Sequence, residues 1–298
     1  MDKPLVSIAL CTYNGEKYLV EQLDSIVNQS YPNIEIIAVD DCSSDGTVDI
    51  LKAYAEKYPY FQVYENEINL GYIKNFEKAI RLCTGEFIAL ADQDDIWHLN
   101  KIAVQVNEIG EHNLIYHDSE FINEHGISIN KKISDVRRFY SGGDSRYFLF
   151  ENCVSGHTIL FNKRIVPFLN HFKPEIFHDW WIAYVATNTG TILASTAILV
   201  KYRQHLSTST DILRTKKPKR ADRKIADQQF LQRLKHFTAY LYNDHQKFKT
   251  HLLNLVSRKS EKKINIRLLQ FIISNQKILL FMQRKGYWSK LNYARKFL

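Results

Sequence analysis

Asp92-Gln93-Asp94-Asp95 sets three carboxylates and an amide side by side. Residues two apart at a strand end face the same way, so Asp92 and Asp94 bring two carboxylates together. Like charges that close resist joint ionisation unless a cation neutralises them. A hard divalent ion, Mg²⁺ or Mn²⁺, suits oxygen ligands and bridges to substrate phosphates. The plainer alternative is an acidic cluster at Asp94–Asp95 that caps a following helix and is held by its dipole. The sequence has no Gly-x-x-x-x-Gly-Lys-Ser/Thr loop, which excludes P-loop chemistry. It has no Gly-x-Gly-x-x-Gly after its first apolar run, which speaks against a dinucleotide oxidoreductase.

The elements that would position these carboxylates alternate in type. Short apolar runs at 5–12, 34–39, 61–64 and 86–91 read as strands buried on both faces. Between them, 18–28, 48–58 and 73–82 carry helical spacing. That alternation predicts an α/β fold with a mainly parallel sheet and helices on both faces. In such sheets the ligand sits beyond the carboxyl ends of the strands. Four polar clusters fall there: 12–14, 40–45, 69–71 and 92–95. Further on, 113–117 and 191–200 are expected strands, 180–186 a helix, and 126–144 a loop or short hairpin. From 226 to 298 the apolar spacing gives two or three amphipathic helices.

The chain's 298 residues allow one large domain or two modest ones. Its 45% apolar and 24% charged residues are ordinary globular usage, so disorder is not expected. No uncharged apolar stretch reaches the roughly 18 residues of a membrane span. The nearest, 182–200, is broken by Thr187, Asn188, Thr189, Gly190 and Thr191. The start lacks signal-peptide order, and four scattered cysteines exclude a disulfide scaffold or a zinc ribbon. A cytoplasmic protein, peripheral at the inner membrane face, is expected. Charge is uneven: residues 211–298 hold 22 Lys/Arg against 5 Asp/Glu, and residues 1–210 hold 18 against 27. This divides the chain into a body, 1–210, with one job and a basic helical region, 211–298, with another, membrane association or oligomerisation. An anionic membrane surface ranks above nucleic acid, for which no fold signature exists. The competing use of the tail's apolar faces is packing on the body or a homo-oligomer.

Several motifs together resemble the family 2 glycosyltransferases of GT-A fold. They are Val6–Gly15 (VSIALCTYNG), Val39–Thr47 (VDDCSSDGT), Asn69-Leu70-Gly71 and Asp92-Gln93-Asp94-Asp95. Ser155-Gly156-His157-Thr158, His178-Asp179-Trp180-Trp181 and Tyr202-Arg203-Gln204-His205 extend the resemblance to residues 4–206, and the wording is most like the rhamnosyltransferase-like branch of bacterial polysaccharide synthesis.

The resemblance implies roles. Thr12, Tyr13, Asn14 and Asp41 would cradle base and ribose, with Asp41 accepting a uracil or thymine imide N–H. Asn69 and Gly71 would lie beside the nucleotide. Lys74 would reach the diphosphate or ribose, or be an exposed helix lysine. Asp94 would bind the metal, Asp92 the ribose or a metal-bound water, and Asp95 the donor sugar or the next helix's N-terminus. Asp179 would be the general base; an Asp at a helix start should have a depressed pKa. The plain alternative for Asp179 is an N-cap. His178 stands where the family usually has an acidic residue. Of Trp180 and Trp181, one would face the acceptor and the other the core. His205 would complete the metal site and Arg203 pair with the diphosphate. The implied activity is inverting, Mn²⁺- or Mg²⁺-dependent transfer from a dTDP- or UDP-sugar, rhamnose favoured, to a saccharide on a polyprenyl diphosphate. The alternative is a non-catalytic nucleotide-sugar-binding or assembly subunit.

Overall fold

The computed structural model describes residues 3–170, 172–205, 220–242, 244–258, 265–284, 286, 290 and 292. β1 (Val6–Thr12) and β2 (Ile34–Asp40) are buried along their whole length. Their alternate residues serve two cores. Ile8, Leu10, Ile36 and Ala38 face one, and Ala9, Cys11, Ile37 and Val39 the other. This double burial is why the runs are continuously apolar rather than alternating. With β3 (Phe61–Glu65) and β4 (Phe87–Ala91) they form a parallel set in the order β3-β2-β1-β4. The crossovers are α1 (Glu16–Val27), α2 (Thr47–Lys57) and α3 (Tyr72–Leu82).

Beyond β4 the sheet is mixed. β5 (Ile96–Trp97) comes directly after the acidic cluster, and α4 (Lys101–Glu108) follows it. No helix starts at Asp94 or Asp95, so the helix-cap alternative for that cluster fails. β6 (Leu114–Ile122) receives β7 (Ser128–Lys132) as a hairpin, and a short α5 (Ile133–Val136) closes it. β8 (Ile159–Asn162) lies antiparallel between β4 and β6. α6 (His178–Thr189) leads into β9 (Ile192–Arg203), which runs parallel to β6 and antiparallel to β5. β9 therefore carries its end back to the acidic cluster.

The C-terminal helices α7 (Arg220–Ala239), α8 (Gln246–Ser257), α9 (Ile266–Ser274) and α10 (Gln276–Leu279) pack on the body. Phe230, Leu234, Phe237, Leu252, Leu268, Ile272 and Leu279 share one core with Trp181, Tyr184 and Val185 of α6. Polar ties accompany it: the Tyr184 hydroxyl donates to Phe237 O at 2.6 Å, and buried Lys249 donates to Ser145 Oγ at 2.6 Å. The division expected at residue 210 lies outside the described residues. Among the described residues no helix is long and apolar enough to cross a membrane.

Candidate active site

A cavity of about 1260 Å³ opens beyond the carboxyl ends of the parallel strands. Thr12, Tyr13, Asn14, Asp41, Asn69, Gly71, Asp92 and Asp94 line it, as do His178, Asp179, Trp180 and His205. The four strand-end clusters therefore meet in one space, because parallel strands deliver their following loops to one edge of the sheet.

Most of the strand-end groups spend hydrogen bonds on holding loops. Thr12 Oγ1 donates to Asp40 Oδ1 at 2.7 Å, which ties the ends of β1 and β2. Asn14 sits in the left-handed region at φ 47° and accepts Ser44 N–H at 2.8 Å. Asp41 is buried and accepts N–H groups from Leu70, Gly71 and Asn66 Nδ2 at 2.7, 2.9 and 2.8 Å. That fills about three of its four lone-pair positions. Asn69 Oδ1 also accepts Gly71 N–H, at 3.0 Å. Gly71 holds φ 79°, a conformation any Cβ would strain. Tyr13 is half exposed, its ring available to stack on a planar ligand.

The acidic centre has the character of a cation site. Asp94 Oδ2 lies 2.8 Å from His205 Nε2, the two brought together by β4 and β9. Adjacent corners of an octahedron with metal–ligand bonds of about 2.0–2.1 Å lie about 2.9 Å apart. The two are hydrogen-bonded to each other, at a spacing that two adjacent ligands of one hard divalent ion also have. Burial, then Asp94, then Asp179 push the Asp92 carboxyl well up from the usual range, a strain that a bound cation would relieve. Asp92, Asp95 and buried His157 form an adjoining cluster, with His157 Nδ1 3.9 and 3.7 Å from the two carboxylates.

Asp179 lies inside the first turn of α6, one residue past the helix start, so it is not the N-cap. Its Oδ1 accepts N–H from Trp180 at 2.5 Å and from Asn152 Nδ2 at 3.2 Å. The helix dipole predicts a lowered pKa, but the reverse holds. Burial outweighs these bonds and pushes Asp179 up to about 7. A carboxylate there is a competent proton acceptor near neutrality.

Several sequence expectations need correction. Lys74 is not among the cavity residues; its ammonium pairs with Glu77 at 2.6 Å beside a separate shallow groove. Arg203 is buried and pairs with Glu21, while its Nε donates to Asp94 O at 2.8 Å. It therefore fixes the acidic loop instead of meeting a diphosphate. Asp95 caps no helix; it is buried, and its Oδ1 accepts Arg203 N–H at 3.0 Å. Trp181 is the core partner of the tryptophan pair, donating to Leu169 O at 2.6 Å, and Trp180 is the one that lines the cavity. His178 also lines it, but the ring stacks on Phe76 at 4.0 Å, and burial pushes its pKa down to about 3. It presents a neutral ring and cannot stand in for the acidic residue usual at that position.

Sequence reasoning missed the part played by four residues. Gln93 grips the Tyr13 peptide from both sides: its Oε1 accepts the N–H at 2.7 Å and its Nε2 donates to the carbonyl at 3.0 Å. Gly15 has no Cβ because one would lie 2.4 Å from Gln93 Oε1. Asn152 orients Asp179 from a loop without periodicity, so no sequence signal marks it. Arg233 of α7 reaches the same cavity across more than fifty residues of chain.

An α/β sheet with an acidic pair at the turn of its strand order defines a ligand-binding α/β protein. The family model described as "Glycosyl transferase family 2" matches residues 7–167, and the chain belongs to that family. An uncharacterized glycosyltransferase of Rickettsia typhi is 30% identical over 217 residues, covering 70% of this chain and 66% of that protein. A relative in Escherichia coli is named UDP-Glc:alpha-D-GlcNAc-diphosphoundecaprenol beta-1,3-glucosyltransferase. It is 28% identical over 68% of this chain and 78% of its own. The Staphylococcus aureus TarS 1–349 structure in complex with UDP-GlcNAc has a TM-score of 0.62 at 18% identity. It covers 99% of this chain and 88% of that one, and the likeness establishes a shared fold.

Proposed function

We propose that the protein is an inverting, metal-dependent glycosyltransferase of bacterial surface polysaccharide synthesis. It would move a sugar from a pyrimidine nucleoside diphosphate to a saccharide hydroxyl. The observation that carries this reading is that Asp179 and the Asp92/Asp94 pair line one cavity with the strand ends of the parallel sheet. Asp179 takes the acceptor hydroxyl's proton as that oxygen attacks the sugar carbon. The bond from that carbon to the diphosphate breaks on the opposite face, and the diphosphate leaves with its electron pair. Asp94 and His205 would hold the metal, with Asp92 on the ribose or a metal-bound water. When bound, the metal supplies charge neutralisation for the leaving diphosphate. Tyr13, Asn14 and the remaining Asp41 lone pair would take the base and ribose.

The favoured donor is dTDP-rhamnose, with UDP-sugars next. The name of the Escherichia coli relative supports a lipid-linked acceptor, and the basic tail supports a peripheral position at an anionic membrane face. A donor panel, read by nucleoside diphosphate release with and without chelator, tests the reading. Release from no donor, or release indifferent to chelator, would overturn it.

A further inference from the structure

Among the described residues four Phe, Tyr or Trp side chains are largely exposed, Tyr13, Tyr72, Phe177 and Tyr242, and the first three line the cavity. Exposed apolar groups gathered in one cleft mark a ligand groove. Tyr13 is taken up by the proposed base site. Tyr72 and Phe177 stand together, their ring centroids 6.1 Å apart and their planes 31° from parallel. A ligand ring seated between two faces needs about 7–8 Å, two contacts of 3.5–4.0 Å each. The two side chains therefore form one surface rather than a slot. His178 backs that surface: its ring stacks on Phe76 at 4.0 Å and meets Tyr72 edge-on at 6.1 Å.

Helix stability does not account for Phe177. It is the N-cap of α6, a position that favours Ser, Thr, Asp or Asn, and it makes no side-chain cap bond. Tyr72 opens α3 directly after Gly71, whose N–H donates to the Asp41 carboxylate at 2.9 Å. Asp179 adjoins both rings. It comes two residues after Phe177, and burial, then the Asp179 charge, push the Tyr72 phenol up to about 12. A pyranose has C–H faces that suit an aromatic surface and hydroxyls around its edge.

Resting on the proposed glycosyl transfer, we infer that Tyr72 and Phe177 are the stacking platform for the acceptor sugar, holding its ring so that an edge hydroxyl meets Asp179. The platform determines specificity: it takes a pyranose with an open C–H face and not an open-chain polyol.

The test is saturation-transfer difference NMR on the full chain with UDP and Mg²⁺, irradiating aromatic protons. The probes are the methyl pyranosides of glucose, galactose, rhamnose and N-acetylglucosamine, with sorbitol as the open-chain control. At least one pyranoside should receive saturation on the protons of one ring face, and sorbitol none. Tyr72→Ala and Phe177→Ser should each cut that signal about fivefold or more. Phe177→Ser installs a preferred cap residue, so its loss of signal cannot be put down to a weakened helix. Tyr72→Phe keeps the ring and should keep the signal. Calorimetric titration with UDP should give the wild-type affinity in both Tyr72→Ala and Phe177→Ser. No signal from any pyranoside, a signal from sorbitol equal to theirs, an undiminished signal in either variant, or UDP affinity lost with Tyr72 would overturn the inference. UDP titration of the wild type reports separately on the nucleotide reading: if UDP does not bind, that reading fails whatever the sugars do.

Discussion

The two walls of the cavity use the same side chain in opposite ways. On the acidic wall, Asp94 meets a histidine and Asp92 is crowded by other acids, so both are suited to a cation. Opposite it, Asp179 is half-buried and accepts N–H groups from Trp180 and Asn152, and Arg233 lines the same cavity. Burial lifts its pKa to about 7, as it does that of Asp92, so the neighbours and not the pKa separate the two roles. Environment assigns each aspartate its chemistry.

The sharpest way to break this contrast is Asp179→Asn. Transfer should fall by about 10²–10⁴-fold, the usual worth of a general base. Nucleotide binding, measured by titration with UDP or dTDP, should persist. Retained turnover would move the base elsewhere.

Asp94→Asn tests the other wall. Losing a ligand that supplies several kcal/mol of charge stabilisation should cost about 100-fold or more in kcat. Unlike Asp179→Asn, it should also weaken metal-dependent nucleotide binding.

A subtler difference is protonic. With Asp179 titrating at about 7, kcat/KM should rise with pH and level off above that value. Asn152 donates to the charged form, so Asn152→Ala should move the limb to higher pH. A limb unmoved by that change would detach Asn152 from the base.

Metal should also stabilise the fold unequally with pH. Asp92 has a raised folded pKa, so it destabilises the empty protein as pH rises from the ordinary carboxylate range. Mn²⁺ should therefore raise the melting temperature more at pH 8 than at pH 5. Differential scanning fluorimetry reads this directly, and equal shifts would contradict a carboxylate site. The smallest effect expected is that of Lys74→Ala. Its half-exposed pairing with Glu77 is outside the cavity, so turnover should change less than about twofold, since surface pairs contribute about 0–1 kcal/mol.

The sequence alone determined the parallel core and the gathering of polar clusters at its strand ends. Doubly buried strands must be continuous apolar runs, and the loops after parallel strands must gather at one edge. Thr12, Asp41, Asn69 and Asp92 are therefore legible from local pattern. Only tertiary structure decided the rest. Arg203 and Lys74 have side chains long enough to meet many partners, and packing chose Glu21, the Asp94 carbonyl and Glu77 for them. Asp179 has the helix-start position that lowers a pKa, and burial reversed the sign. Arg233 joins the cavity only because α7 folds back over α6, a contact between distant segments that no local periodicity encodes.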